Sequence, residues 1–66
     1  MSGYYVVALI DGRAEIIETD DPNGITLVCL GAYASLGEAE QRRDIENDPY
    51  KRALFASGKL RVTNSN

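Results

Sequence analysis

The stretch that decides the fold is YYVVALIDGRAEIIE, residues 4–18. Its two flanking runs are rich in β-branched and aromatic residues, as β-strands are. Asp11-Gly12 between them is a strong hairpin signal, because a type I′ turn needs positive φ at both central residues. The stretch therefore predicts two antiparallel strands, with Ile10 paired to Arg13 and the rest of the register fixed by that pair.

Strand pleating sorts the side chains of this hairpin onto two faces. We expect one face to form the core: Tyr5, Val7, Leu9, Ala14 and Ile16. The opposite face is half apolar and half charged: Tyr4, Val6, Ala8, Ile10, Arg13, Glu15 and Ile17. We expect this second face to be exposed, where its apolar side chains would suit either a partner or a second copy of the chain.

The composition of residues 19–24, TDDPNG, predicts a turn. The nearly continuous apolar run Ile25–Leu30 then predicts a third strand, which we expect to pair with the second strand as a meander. Cys29 lies inside this run, and we expect it to be a buried structural cysteine.

Two helices and a last strand are predicted for the remainder of the chain. Ser35 with Glu38 forms a capping box that starts a helix ending near Asn47. Asp48-Pro49 starts a second helix, which ends at Gly58.

Two details of these helices are also predicted. The first helix buries Leu36, Ala39 and Ile45 and carries the ion pairs Glu38–Arg42 and Glu40–Arg43. The second helix is expected to bury one face, formed by Tyr50, Ala53, Leu54 and Ser57.

Lys59–Val62 alternates in character and predicts a short edge strand, before a polar tail at 63–66. The predicted order is βββααβ: an α+β fold with a small antiparallel sheet of about four strands and two short helices on one face. All 66 residues are expected to form a single domain.

Composition narrows the range of functions. The chain has no histidine and one cysteine, which argues against an enzyme or a zinc module and predicts neither catalytic residues nor a cofactor. No apolar run approaches the roughly 18 residues that a membrane-spanning helix needs, and the amino terminus does not resemble a secretory signal. A small domain without an internal disulfide fits a reducing compartment, so we expect a cytoplasmic protein.

Charge is divided unevenly along the chain. Residues 1–40 carry seven acids and one base, a net of −6, whereas residues 41–66 carry six bases and three acids, a net of +3. Such asymmetry bears on which partners a protein attracts. We predict a partner-binding surface on the acidic half, made of Glu15, Glu18, Asp20, Asp21 and the amphipathic ring of Tyr4.

A plainer alternative is that these charges only solvate the surface and that the acids at 18–21 form an acidic turn without a partner. Two further functional interpretations are not favoured. Glu18, Asp20 and Asp21 could ligate a hard cation, but Pro22 interrupts the run and no glutamate completes a calcium loop, so we expect no metal. The basic cluster Arg42, Arg43, Lys51 and Arg52 could touch phosphate, but pairing within the helices is favoured and direct nucleic-acid binding is not expected.

The segment LGAYASLGEAE, residues 30–40, resembles the strand-to-helix signature of SPOR peptidoglycan-binding domains. In that family a strand ends in Gly-x-aromatic-x-Ser and a helix opens with Glu-Ala-Glu. The resemblance implies a small adaptor module that binds glycan or peptide through its sheet.

In size, acidity and lack of catalytic motifs, the whole chain is similar to small phage-encoded inhibitors of bacterial defence, above all anti-CRISPR proteins. This resemblance implies a non-enzymatic inhibitor in the host cytoplasm, acting as a monomer or homodimer. Such an inhibitor would cover the basic nucleic-acid-binding surface of a CRISPR surveillance or effector complex, by steric blocking or by DNA mimicry. We take it as the leading functional prediction, with the SPOR-like adaptor as the alternative.

Overall fold

The computed structural model describes residues 3–63. Three strands are followed by two helices: β1 (Tyr4–Ile10), β2 (Arg13–Thr19), β3 (Val28–Tyr33), α1 (Leu36–Glu46) and α2 (Pro49–Ala56). A single 3-10 turn, Pro22–Gly24, lies between β2 and β3. The α+β class is confirmed, with an antiparallel sheet of three strands in the described part of the chain.

The hairpin has the predicted turn and register. Asp11 and Gly12 both have positive φ, 52° and 80°, as a type I′ turn requires. Ile10 pairs with Arg13, and the ladder continues without interruption to the pair of Tyr4 with Thr19. The hairpin signal therefore predicted both the turn and the pairing.

The turn offers a test in which conformation alone matters. A Cβ added at Gly12 would meet no atom within 4 Å, so Gly12→Ala would create no clash. The positive φ still costs an L-residue about 1 kcal/mol. We expect thermal denaturation of Gly12→Ala to show a melting temperature lower by roughly 4–8 °C. An unchanged melting temperature would mean that the turn does not hold this conformation in solution.

The position of the third strand was predicted wrongly. β3 pairs with β1 rather than with β2, so the strand order is β2-β1-β3. The strand also begins at Val28, three residues later than predicted, because residues 20–27 form the connection from β2 to β3. The physical reason lies in β1: its central run Val6-Val7-Ala8 is at most 1% exposed, and only a central strand can be buried to that degree on both faces.

The predicted core face is confirmed in its central part. Val7 and Ala14 pack with Ala39 of α1 and are fully buried. Partly buried side chains from the strands surround them: Tyr5, Ile16, Leu30 and Tyr33. Leu9, which was expected in this core, is instead 37% exposed, since it lies near the turn end of the sheet.

The opposite face is not exposed, contrary to what the sequence predicted. Val6 and Ala8 point away from α1, yet they are 1% and 0% exposed. β2 and β3 run parallel on either side of β1, so residues 20–27 must travel the length of the sheet to join them. The burial of Val6 and Ala8 indicates that this connection crosses β1 on the face opposite α1. Ile17 is half-buried, and only Tyr4 and Ile10, at the two ends of β1, are exposed among the uncharged side chains predicted for this face.

α1 starts as predicted at Ser35, whose hydroxyl accepts the Glu38 N–H at 3.3 Å and donates to the Glu38 carboxylate at 3.0 Å. Ala39 and Ile45 are buried, whereas Leu36, expected beside them, is 46% exposed.

α2 has its predicted Asp48 cap, and Gly58 follows it with a φ of 81°. Its predicted buried face is confirmed only at Leu54, which is half-buried. Tyr50 is 73% exposed, Ala53 and Ser57 are also exposed, and Phe55 is half-buried in their place.

The fourth strand is not formed. Residues 59–63 have no strand pairing, and the chain is held instead by Gln41 of α1. The Gln41 side-chain amide donates to the Thr63 carbonyl at 2.7 Å and accepts the Thr63 N–H at 2.9 Å. One side-chain amide thus satisfies the backbone groups that a neighbouring strand would have paired. The remainder of the predicted polar tail, 64–66, lies outside the described residues.

Candidate interaction surface

Four of the five predicted partner-binding residues lie near one end of the sheet. Glu18 is the penultimate residue of β2, and Asp20 and Asp21 follow the end of that strand. Tyr4 belongs to the same end, because it pairs with Thr19, and its ring is 46% exposed. The three carboxylate residues are all exposed. We call Tyr4, Glu18, Asp20 and Asp21 the acidic end of the sheet.

Local hydrogen bonds shape the loop that leaves this end. The Thr19 hydroxyl accepts the Asp21 N–H at 3.1 Å, and the Asp21 carboxylate accepts the Asn23 N–H at 3.1 Å. Asp21 therefore caps the 3-10 turn. A Cβ added at Gly3 would stand 2.5 Å from the Thr19 carbonyl oxygen and 2.7 Å from a carboxylate oxygen of Asp20. The chain before β1 thus passes close to this loop, and glycine allows the approach.

Glu15, the fifth predicted residue, does not join the acidic end. Alternation along β2 places it on the face opposite the one that carries Glu18. Its carboxylate lies 3.7 Å from the Arg13 guanidinium, and the side chain is 47% exposed. The structure therefore brings together three of the four predicted acids and separates Glu15 from them.

No described cation neutralises the acidic end. The ion pairs among residues 3–63 are Arg13–Glu15, Arg42–Glu46 and Arg43–Asp44. The predicted pairs Glu38–Arg42 and Glu40–Arg43 are not formed, because Glu38 is engaged by Ser35 and each arginine pairs toward the carboxyl end of the helix. Pairing of these arginines with helical acids was correctly predicted, but the partners were not.

Arg42 is a structural residue and is not available to an outside ligand. Its guanidinium donates to Glu46 at 2.8 Å and to the Tyr33 hydroxyl at 3.0 Å, and it lies 4.5 Å from the centre of the Phe55 ring. Burial by itself lowers the pKa of Arg42, but the hydrogen bonds with Glu46 and Tyr33 outweigh burial, so the pKa is raised. The guanidinium therefore joins α1, β3 and α2 as a permanent cation.

The structure also places the chemically reactive groups. Cys29 is exposed on β3, so its predicted burial is wrong; β3 lies at the edge of the sheet, and no other strand among residues 3–63 pairs with its outer side. In the described part of the chain, no group of three or more potential metal ligands comes together. A shallow cavity of about 200 Å³ lies between the helices and the carboxyl-terminal segment, lined by Gln41, Asp44, Ile45, Lys51, Leu60 and Arg61.

A second surface was missed by the sequence interpretation. At the turn end of the sheet, Leu27 and Val28 are 43% and 63% exposed, and Leu9 and Ile10 are 37% exposed each. Leu9 and Val28 are cross-strand partners. Because Leu9 and Ile10 are adjacent in β1, these side chains are divided between the two faces of the sheet, and their exposure could have been anticipated only if Leu27 and Val28 had been assigned to the start of an edge strand.

No protein family, curated protein or solved structure matches this chain. Between residues 3 and 63, neither helix is both long and apolar enough to cross a lipid bilayer.

Proposed function

We propose that this protein is a non-enzymatic inhibitor that binds a basic, nucleic-acid-binding surface of a bacterial defence complex through the acidic end of its sheet. The single observation that carries the proposal is the grouping of Glu18, Asp20 and Asp21, exposed and without a described cationic partner. The class of target comes from the resemblance to small anti-CRISPR proteins. The proposed site of action is the cytoplasm of the bacterial host.

The chemistry of the acidic end suits such a target. Surfaces that bind nucleic acid are lined with Lys and Arg that contact phosphates. The carboxylates of another protein can occupy the positions of those phosphates. Tyr4 adds an exposed aromatic ring at the same end of the sheet, on the face opposite Glu18, and tyrosine is common among residues that dominate binding energy. The three acids are too few to reproduce a long phosphate backbone, so local blocking is favoured over extended DNA mimicry.

The scaffold holds these groups in place. Glu18 lies on a strand of the sheet, and the loop after it is fixed by the contacts of Thr19 and Asp21 with neighbouring backbone. A side chain held on an ordered scaffold loses less conformational entropy on binding than one on a mobile segment. The structure is thus suited to presenting charge, and we assign no reaction to it.

The proposal is tested by target-DNA binding in the presence of the protein. Purified surveillance and effector complexes of several CRISPR types are mixed with labelled target DNA, with and without a stoichiometric excess of the protein. We expect the protein to abolish the DNA shift for one class of complex. Because charge steers this contact, inhibition should weaken as salt rises from 50 to 500 mM (about a threefold decrease in screening length).

Single charge reversals locate the binding surface. We expect Glu18→Lys and Asp20→Lys each to weaken inhibition by roughly tenfold, or about 1.4 kcal/mol. Asp21 is left unchanged because it caps the 3-10 turn. Glu40→Lys is the matched control, since Glu40 is exposed on α1 and the variant changes the net charge equally. Equal inhibition by all three variants would remove the acidic end from the interface.

The SPOR-like adaptor is separated by a different measurement. Sedimentation of the protein with purified peptidoglycan, together with no inhibition of any defence complex, would replace the proposed function with glycan binding. Failure in both assays would reject both functions.

A further inference from the structure

The two outer edges of the sheet are not equivalent. On the β2 edge, the Asn47 side chain accepts the Ala14 N–H at 2.8 Å and donates to the Ala14 carbonyl at 3.0 Å. A side-chain amide thus occupies the position that a neighbouring strand would take. On the β3 edge, none of the hydrogen bonds found outside the sheet ladder among residues 3–63 reaches a backbone group of Val28–Tyr33.

The register shows which groups β3 presents outward. A two-residue turn makes Ile10 and Arg13 a hydrogen-bonded pair, so alternate residues of β1 point their backbone groups toward β2 and toward β3. The β3 residues that bond to β1 are then Val28, Gly31 and Tyr33. Cys29 and Ala32 lie opposite β1 residues whose backbone groups point the other way. Their own N–H and C=O groups therefore face the free edge, and both residues are exposed.

Apart from one bulge, where the pairing with β1 shifts between Val7 and Ala8 and leaves Leu30 as the extra residue of β3, this edge lacks the features that keep edge strands apart. Monomeric proteins protect such edges with charged side chains, especially lysine, or with proline. Here no charged residue stands between Asp21 and Glu38, and β3 itself contains neither charge nor proline. The exposed apolar side chains of Leu27 and Val28 lie at its start.

We propose that β3 pairs antiparallel with β3 of a second copy of this chain, giving a two-fold symmetric dimer with a continuous six-stranded sheet. A second copy is the occupant because an uncharged strand edge can pair with its own two-fold equivalent. Each chain has a net charge of −3, so two copies repel except where the uncharged surface around β3 of one copy meets the same surface of the other. Antiparallel β3–β3 pairing places these surfaces together and leaves the charged β2 edges outermost.

The dimer does not depend on the proposed inhibitory function. The acidic end continues from β2, which is separated from β3 by the central strand. The dimer would therefore present two acidic ends that both remain accessible. Strand pairing along six residues is small beside stable interfaces, which bury roughly 1,200–2,000 Å². We therefore expect a dimer that dissociates on dilution, and one that strengthens with salt because screening reduces the repulsion between copies.

Sedimentation equilibrium over a concentration series, up to about 1 mM protein, measures this assembly. We expect the average mass to rise from one chain, 7.2 kDa, toward two. Ala32→Pro removes an outward N–H without breaking a bond to β1 and should abolish the rise. If that variant does not fold, Ala32→Lys decides: it places a charge on the edge and should raise the dissociation constant about tenfold or more.

Ala53→Lys is the matched control, because it makes the same replacement with the same change of net charge at an exposed position of α2 rather than on a sheet edge, and it should dimerise like the unmodified chain. Amide hydrogen exchange gives an independent measurement: the Cys29 and Ala32 amides should become protected as concentration rises, and the Glu18 amide should not. A mass of one chain at every concentration, or full dimerisation of Ala32→Lys, would overturn the proposal.

Discussion

Replacing Arg42 with alanine should lower the free energy of unfolding by roughly 2–3 kcal/mol. The guanidinium makes three contacts at once: Glu46 at 2.8 Å, the Tyr33 hydroxyl at 3.0 Å and the Phe55 ring at 4.5 Å. The Arg42 and Glu46 side chains are only 16% and 13% exposed, so truncation would leave a poorly hydrated carboxylate without its partner. Urea denaturation followed by circular dichroism measures the change.

Arg43→Ala is the matched control for this variant. Arg43 is the next residue of the same helix and also forms an ion pair, but its partner Asp44 is 58% exposed. Exposed pairs contribute between 0 and about 1 kcal/mol, so the control should change stability by less than half as much. Equal losses in the two variants would mean that the contacts of Arg42 with β3 and α2 contribute nothing measurable.

Arg42→Lys distinguishes charge from geometry. Lysine keeps the positive charge but lacks the planar fork that can meet Glu46, Tyr33 and Phe55 together. We expect Arg42→Lys to lose at least half of the stability lost by Arg42→Ala. Full stability in the lysine variant would show that charge alone is needed at this position.

Local signals predicted the parts of this fold that depend on neighbouring residues. The Asp11-Gly12 turn, the hairpin register and the caps at Ser35 and Asp48 are each determined by a few adjacent side chains. These local features correctly predicted two strands and the starts of two helices. The same hairpin placed Tyr4 and Glu18 at one end of the sheet, which is why most of the acidic end could be predicted.

The incorrect predictions concern features that depend on contacts between residues distant in sequence. β3 could pair with either strand of the hairpin, and its local composition does not distinguish the two arrangements. β3 pairs with β1 because this arrangement buries both faces of β1. As a result, Cys29 lies on an exposed edge strand. The same arrangement also sent residues 20–27 across Val6 and Ala8, which had been expected to be exposed.

The ends of the predicted elements show a related limit. Lys59–Val62 alternates in character like a strand, but it pairs with neither edge strand of the sheet. The adjacent Thr63 is instead hydrogen-bonded to the Gln41 side chain. Glu15 and Glu18 are close in sequence, but an odd spacing along a strand puts them on opposite faces. Charge counted along the chain therefore overestimates the charge that is gathered on one surface.

Asn47 carries the second large expected effect, because it joins the end of α1 to the outer edge of β2. Its side chain satisfies both the N–H and the C=O of Ala14, a residue that is 0% exposed. Asn47→Ala removes both partners and leaves two poorly hydrated backbone groups without a hydrogen bond. We expect a loss of roughly 2 kcal/mol in the free energy of unfolding, measured by urea denaturation.

Asn47→Asp separates the two hydrogen bonds. The carboxylate can still accept the Ala14 N–H, but in place of the donating Nδ2 it sets a negative oxygen against the Ala14 carbonyl. We expect Asn47→Asp to be destabilised at pH 7 and to recover part of the loss under acidic conditions, where the protonated carboxyl can donate again. Asn23→Ala is a suitable control, because Asn23 is exposed and uses only its backbone N–H in the contact with Asp21. If Asn47→Ala and Asn23→Ala were equally stable, the amide contact would not hold α1 against β2, and the β2 edge would be as open to pairing as the β3 edge.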